Sequence, residues 1–261
     1  IVIIPKEKNR EHLAQNNYPL VNRIKIICKK VLVMQESTHW DWQDESFTSM
    51  AWYYNQLLQA DGILCHNDID VPYFEGITNK PAYVLDTLMI EDEVKIAPEK
   101  EEKVFVAGNW HSTYRGFDAW IIGNEFDLPM YGFKSGKFKV GEENNGINYL
   151  PWMPWNEFMY ELSKCKYGVQ TYQASAGQFS LNCAYLGIPC IGYNDINTQS
   201  ILHRSLSVER GDIVTARKLA NKLKTDKEFY LQCSQECKKF YDTFYRELVF
   251  INRAKEILSK F

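Results

Sequence analysis

The stretch "SAGQFSLNCAYLGIPCIGYND", residues 175–195, sets a loop of small residues before a helix-compatible segment, a Gly-x-Pro turn and a short apolar run. A loop that presents Gly177, Gln178, Phe179 and Ser180 at the start of an apolar helix leaves main-chain N–H groups without carbonyl partners and puts the positive end of the helix dipole there. That combination suits a phosphate, and Gly177 permits close backbone approach. A second loop, "MQESTHWDWQDESF" over 34–47, presents Glu36, His39, Trp40, Asp41 and Trp42 after an apolar run, at the sheet edge where open α/β folds place ligands. His39 or Asp41 could take the proton of a hydroxyl, and indole faces suit stacking on a sugar. The same loop could instead cap the following helix with Trp40 and Trp42 packed inward.

The elements that must position these residues alternate along the chain. "IVIIP", "VLVMQE" (31–36), "GILCHN" (62–67) and "AYVLDTL" (82–88) are short, near-continuously apolar runs, as expected of strands covered on both faces. Between the second and third lies "DESFTSMAWYYNQLLQA", with Phe47, Met50, Tyr54 and Leu57 at helical spacing and Asp44 or Ser46 as its cap. The charged stretch "EDEVKIAPEKEEK" (91–103) reads as a linker, after which the pattern restarts. Strands "VFVAGN" (104–109), "LPMYGF" (128–133), "YGVQTY" (167–172) and "PCIGYN" (189–194) alternate with a helix carrying Phe117, Trp120 and Ile121 on one face, the helix "NEFMYELSKC" and the helix of the opening loop. Three amphipathic helices close the chain, the first capped by Asp212 and the second started by Asp226. This rhythm predicts an α/β fold of two Rossmann-like, doubly wound parallel-sheet domains. The expected boundaries are 1–95 for an acceptor-side domain, 96–245 for the second, and 246–261 for a final helix packing back on the first. Because the chain begins at Ile1 inside an apolar run, the first domain is expected to be truncated at its N-terminus.

Composition excludes several classes. The 261 residues carry a formal charge of −3 with Lys and Arg scattered among Asp and Glu, which gives no electrostatic footprint for nucleic acid. No apolar run reaches membrane-spanning length, which leaves peripheral association open. Seven cysteines without a CxxC pair or a His/Cys cluster at zinc spacing point to a reduced, cytoplasmic chain with no metal site, and Cys233 and Cys237 read as core thiols on a stripe with Phe229, Phe240 and Phe244. GxGxxG, GxxxxGK[ST] and GxSxG are all absent, which disfavours a nicotinamide enzyme, an NTPase and a serine hydrolase.

Four segments in order carry a resemblance: "VFVAGNWHSTYRGFDAWI", "INYLPWMPWNEFMYELSKCKYGV", "GQFSLNCAYLGIPCIGYND" and the closing helices from Leu206. Together they resemble the donor-binding domain of GT-B nucleotide-sugar glycosyltransferases of the group 1, family 4-like type, over about residues 62–250. The resemblance implies that a nucleoside-diphosphate sugar binds the C-terminal domain in an interdomain cleft, as a substrate and with no cofactor, and that a glycan or other hydroxyl acceptor binds the first domain. In that frame the Gly108-Asn109 loop and Arg115 face the phosphates beside the amides of Gln178, Phe179 and Ser180, the Arg115 fork gripping oxygens bidentately. Arg115 could equally serve an exposed helix start, and Gly108 a plain turn. Tyr131, Phe133, Trp152 and Met153 are candidates for the base, although aromatics at strand ends also serve as core. His39 and Asp41 are the candidate catalytic residues. His66, Asn67 and Asp68 end a strand as a turn that could line the cleft, and His111 and His203 are further possible sugar contacts.

One departure bears on mechanism. Retaining members carry two glutamates around the donor loop, and the matching positions hold Ala174 and Asn182. Asn182 can still hydrogen-bond a ribose or sugar hydroxyl; Ala174 cannot. This leaves an inverting mechanism, a divergent retaining subgroup, a non-catalytic nucleotide- or carbohydrate-binding relative, or a nucleotide-sugar epimerase.

Overall fold

The computed structural model describes residues 2–3, 8–36, 38–40, 45–92, 94–107, 116–133, 140–171 and 177–261, with side chains from residue 11 onward. The chain divides into two units, one of residues 1–87 with 250–261 and one of residues 88–249. The expected boundaries were 95 and 245. Residues just before 95 group with the second unit because Met89 is buried in its core and Glu91 accepts a 2.7 Å bond from the Tyr241 hydroxyl.

The first unit runs β1 (Val2–Ile3), α1 (Lys8–Gln15), α2 (Leu20–Lys25), β2 (Leu32–Gln35), α3 (Phe47–Gln59), β3 (Gly62–Cys65), α4 (Asp70–Thr78) and β4 (Ala82–Val84). Its strands form one parallel sheet in the order β1-β2-β3-β4. Every residue of β2 and β3 is buried, as continuous apolar runs require of strands covered on both faces. Val33, Ile63 and Cys65 pack with Val21, Trp52, Tyr53, Leu57 and Phe74, while Leu32, Met34 and Leu64 pack with Ile257, Phe250 and Phe261 at the end of the chain. The last helix therefore supplies the second cover of this sheet, and Arg253 ion-pairs there with the buried Asp86.

The second unit runs β5 (Glu101–Ala107), α5 (Gly116–Asn124), β6 (Met130–Phe133), β7 (Ile147–Leu150), α6 (Trp155–Ser163), β8 (Cys165–Gln170), α7 (Gln178–Tyr185), β9 (Cys190–Tyr193), α8 (Asn197–Leu202), β10 (Ser207–Val208), α9 (Ile213–Thr225) and α10 (Lys227–Phe244), and α11 (Glu247–Leu258) follows. The parallel sheet has the order β10-β9-β8-β5-β6-β7. The chain builds outward from β5 to β7, then returns to β8 on the other side of β5. Val104, Val106, Tyr167, Val169 and Ile191 pack against Ala119 and Ile122 of α5 and Ala216, Ala220 and Leu223 of α9. Phe105 and Cys190 pack on the opposite face against α6, α7 and α10. This is the doubly wound arrangement that the alternating pattern predicts. Among the described residues no helix is long and apolar enough to cross a membrane.

Two helical faces differ from expectation. In α3 the buried stripe is Ser49, Trp52, Tyr53, Gln56 and Leu57, whereas Phe47 is 80% exposed and Tyr54 lies at the surface. In α5 Ala119, Ile122 and Gly123 face the core and Phe117 is exposed. In α5 the small residue wins because the helix lies close on its sheet: a Cβ on Gly123 would approach the Val106 side chain to 2.8 Å. Cys233 and Cys237 are buried free thiols, while Phe244 of their expected stripe is exposed.

Caps follow the sequence. Ser46 accepts from the Ser49 N–H, Asp212 from Thr215 and Asp226 from Phe229. Asp226→Ala is expected to lower stability by about 1 kcal/mol, measured by urea unfolding; an unchanged midpoint would show that the cap is dispensable.

Candidate functional site

Strand order reverses between β5 and β8, and in open α/β sheets ligands sit beyond the carboxyl ends of the strands at such a point. β8 leads through Thr171 and residues 172–176 to Gly177, the residue before α7. Gly177 has φ +68°, and a Cβ there would overlap the Thr198 hydroxyl. Its carbonyl accepts bonds from Ser180 Oγ and Thr198 Oγ1, both at 3.0 Å, and the two hydroxyls lie 2.8 Å apart. The start of α7 is thus fixed from behind by a buried hydroxyl pair.

The amides divide into two groups. The Ser180 N–H donates to Gln170 Oε1 at 2.8 Å, so a glutamine on β8 supplies the capping acceptor that glycine at 177 lacks. The Gln178 and Phe179 N–H groups have no partner among the described residues. Of the three amides expected from sequence to face a phosphate, that of Ser180 is taken up by Gln170. The Phe179 ring is half-buried and packs 5.4 Å from Phe105. Gln178 Nε2 donates to Asn182 Oδ1 at 3.0 Å, and Asn182 is buried, so it supports the helix start.

His203, a possible sugar contact on sequence, is instead buried beneath α7. Its Nδ1 accepts from the Cys190 N–H at 3.3 Å and its Nε2 meets the Ser180 carbonyl at 2.9 Å, an arrangement that requires neutral imidazole with the proton on Nε2. Burial lowers its pKa to about 4, opposed by the bond to Ser180. Because the folded-state value lies below the ordinary 6.5, the unfolded chain takes up a proton first as pH falls. Stability from this group is complete above about pH 6.5 and is lost toward pH 4, by about 3 kcal/mol at most. His203→Gln should flatten that part of the profile in urea unfolding across this range; identical slopes in parent and variant would refute the assignment.

On the far side of the sheet, Tyr131 and Phe133 of β6 are half-buried and pack on the core, Phe133 at 5.6 Å from Phe105 and 4.7 Å from Phe158. Trp152 is 90% exposed. Met153 lines a cavity of about 600 Å³ with Leu150, Asn156 and Tyr160. Trp152 thus stands at the surface and Met153 at the cavity wall, while Tyr131 and Phe133 serve mainly as packing. Gly108, Asn109, His111, Arg115, Asp41, Trp42 and Ala174 lie outside the described residues.

In the first unit His39 follows β2 and Asp70 opens α4 after β3. Because β2 and β3 are neighbours in register, with Gln35 opposite Cys65, the residues beyond their carboxyl ends meet. Asp70 Oδ1 accepts from the His39 main-chain N–H at 2.7 Å and lies 2.8 Å from His39 Nδ1. Asn67 Nδ2 donates to the other carboxylate oxygen at 3.2 Å. Asp70 is fully buried, while the His39 side chain is 21% exposed. Tyr73 stacks on the imidazole at 4.5 Å and Trp40 meets it edge-on at 4.7 Å. An aspartate on Nδ1 fixes the tautomer and leaves Nε2 as the basic nitrogen. Asp70 is the residue that sequence reasoning passed over; its signal was the parallel pairing, which aligns the loop after one strand with the loop after the next. His66 bonds the Leu85 carbonyl at 2.9 Å, and burial lowers its pKa.

No protein-family model matches the sequence, and no curated protein does. Solved structures do. A variant of S. aureus TarM, solved with fondaparinux, α-GlcNAc-glycerol and UDP, superposes with TM-score 0.70 at 9% identity over 86% of this chain and 50% of its own. Sucrose-phosphate synthase from Thermosynechococcus elongatus gives TM-score 0.74 at 11% identity, covering 98% of this chain and 80% of its own. Anabaena HepE with UDP and glucose gives 0.68 at 11% identity, covering 89% and 72%. The chain thus has the GT-B fold of two Rossmann-like domains, and it spans about half the length of the TarM chain.

Proposed function

We propose that the chain is a glycosyltransferase that moves a sugar from a nucleoside diphosphate to the hydroxyl of a glycan or other acceptor. The observation that carries this is the start of α7: the Gln178 and Phe179 amides, with no partner among the described residues, beyond the carboxyl end of β8 beside the strand-order reversal. The second unit is assigned the donor, its diphosphate on those amides with Arg115 as the cation and the Gly108-Asn109 loop alongside, and its base beside Trp152 and Met153. The first unit is assigned the acceptor.

His39 Nε2 takes the acceptor proton, the freed oxygen attacks the anomeric carbon, and the bond to the diphosphate breaks with its electrons moving onto the leaving oxygen. Asp41 remains a second candidate base. Ala174 in place of a glutamate fits this inverting course. Main-chain amides and Arg115, rather than a metal, take the leaving-group charge. A second reading, a binding protein without turnover, draws on Asn182, which is buried and bonded to Gln178 where retaining enzymes have a carboxylate.

Nucleoside diphosphates should raise the melting temperature by an amount set by concentration over Kd, and nucleosides far less. Release of free nucleoside diphosphate from a panel of nucleotide-sugars, dependent on an added acceptor mixture, is the expected result for the enzyme. Binding with no release selects the second reading, and the absence of any melting shift at about millimolar nucleotide rejects both.

A further inference from the structure

At the end of α2, on the amino edge of the first sheet, the sequence reads Arg23-Ile24-Lys25-Ile26-Ile27-Cys28-Lys29-Lys30. Ile26 and Ile27 are 78% and 84% exposed, although adjacent branched aliphatics would lose most by facing water. The turn that holds them is not frayed. Ile27 and Cys28 N–H both donate to the Ile24 carbonyl at 3.0 Å, and Leu20, Val21 and Ile24 fasten the helix to the core. Arg23, Lys29 and Lys30 are exposed around the pair, and Lys25 is half-exposed. Among the described residues the acidic partner of these cations is Asp61, 3.1 Å from Lys25 and 3.8 Å from Lys30, so a net positive rim remains.

We infer that this turn docks on an anionic lipid surface, the two isoleucines entering the interface and the basic rim meeting acidic headgroups. A rigid apolar tip ringed by cations matches a surface that is apolar within and negatively charged at its face. Charge complementarity favours lipid over a second copy of the chain, whose own patch would bring like charges together. The patch lies at the amino edge of the sheet and His39 follows the carboxyl end of β2, so docking leaves the proposed acceptor side open. This inference stands independently of any catalytic role.

The test is co-sedimentation with vesicles of phosphatidylcholine alone and with about 30% phosphatidylglycerol. Each cation near such a surface is worth about fivefold in partitioning, so the parent chain should bind the anionic vesicles at least about tenfold more tightly and release in about 0.5 M salt. The double variant Ile26→Ser/Ile27→Ser keeps every charge and should lose at least about tenfold, with unchanged circular dichroism because both side chains lie outside the core. Ile27→Trp should show a blue-shifted emission on the anionic vesicles only. No sedimentation with either vesicle, binding that the double serine variant retains, or a concentration-dependent dimer that the serines abolish in place of vesicle binding would each overturn the proposal.

Discussion

Replacing His39 by Gln is expected to lower turnover by about 10²- to 10⁴-fold while nucleoside diphosphate affinity stays within about twofold of the parent. The magnitude is that of a positioned general base, and the split between turnover and affinity follows from the placement of His39 in the first unit and of the amide pair in the second. His39 is held twice by one carboxylate, through its main-chain N–H and through Nδ1. Asp70→Asn should therefore reproduce most of the loss, because an amide that donates toward Nδ1 stabilises the wrong tautomer. A merely structural pair would lower melting temperature and affinity together. A base role instead lowers turnover while melting temperature and nucleoside diphosphate affinity hold. Parent-like turnover in His39→Gln would transfer the proton-accepting role to Asp41 or another group.

Gly177→Ala is the second large effect, and it falls on stability and nucleotide affinity together. Any L-residue at φ +68° is strained, and the new Cβ would overlap the Thr198 hydroxyl behind the loop. A destabilisation of about 3 kcal/mol is expected, read from urea unfolding, from strain and overpacking combined. Gly177 directly precedes Gln178 and Phe179, so on the proposed function diphosphate affinity should fall at least about tenfold in the protein that remains folded. The double variant Gly177→Ala/Thr198→Ala removes the hydroxyl overlap and should recover part of the stability while the backbone strain persists. A single variant as stable as the parent would show that the helix start can shift freely, which is incompatible with a preorganised anion site.

The helix α7, its glycine entry and the alternating strands were legible because each is local: a small-residue loop, a helical run, Gly-x-Pro and an apolar strand follow one another within 175–195. The faces of α3 and α5 were not, since Phe47 and Phe117 score as apolar wherever they point while Ser49, Gln56 and Gly123 reach the core through close packing. Gln170 as the cap of α7 was invisible for a different reason. It lies ten residues upstream of Ser180 on a strand, and a cap reached from that distance follows no local capping pattern. Asp70 and His203 depend on sheet order. Asp70 meets His39 across 31 positions, and His203 reaches Ser180 across 23. The last helix was expected to return to the first domain, and residues 250–261 group with it; its role as cover for Leu32, Met34 and Leu64 needed the coordinates.

The most direct test of the donor-site account is an amide-resolved NMR titration with a nucleoside diphosphate. Resonances of Gln178 and Phe179 should move most, downfield as their N–H groups meet a charged acceptor, and the matching nucleoside should leave them in place. Ser180, held by Gln170, should move little. Saturable binding that leaves Gln178 and Phe179 unshifted would contradict the account outright, because the diphosphate would then be held elsewhere on the molecule.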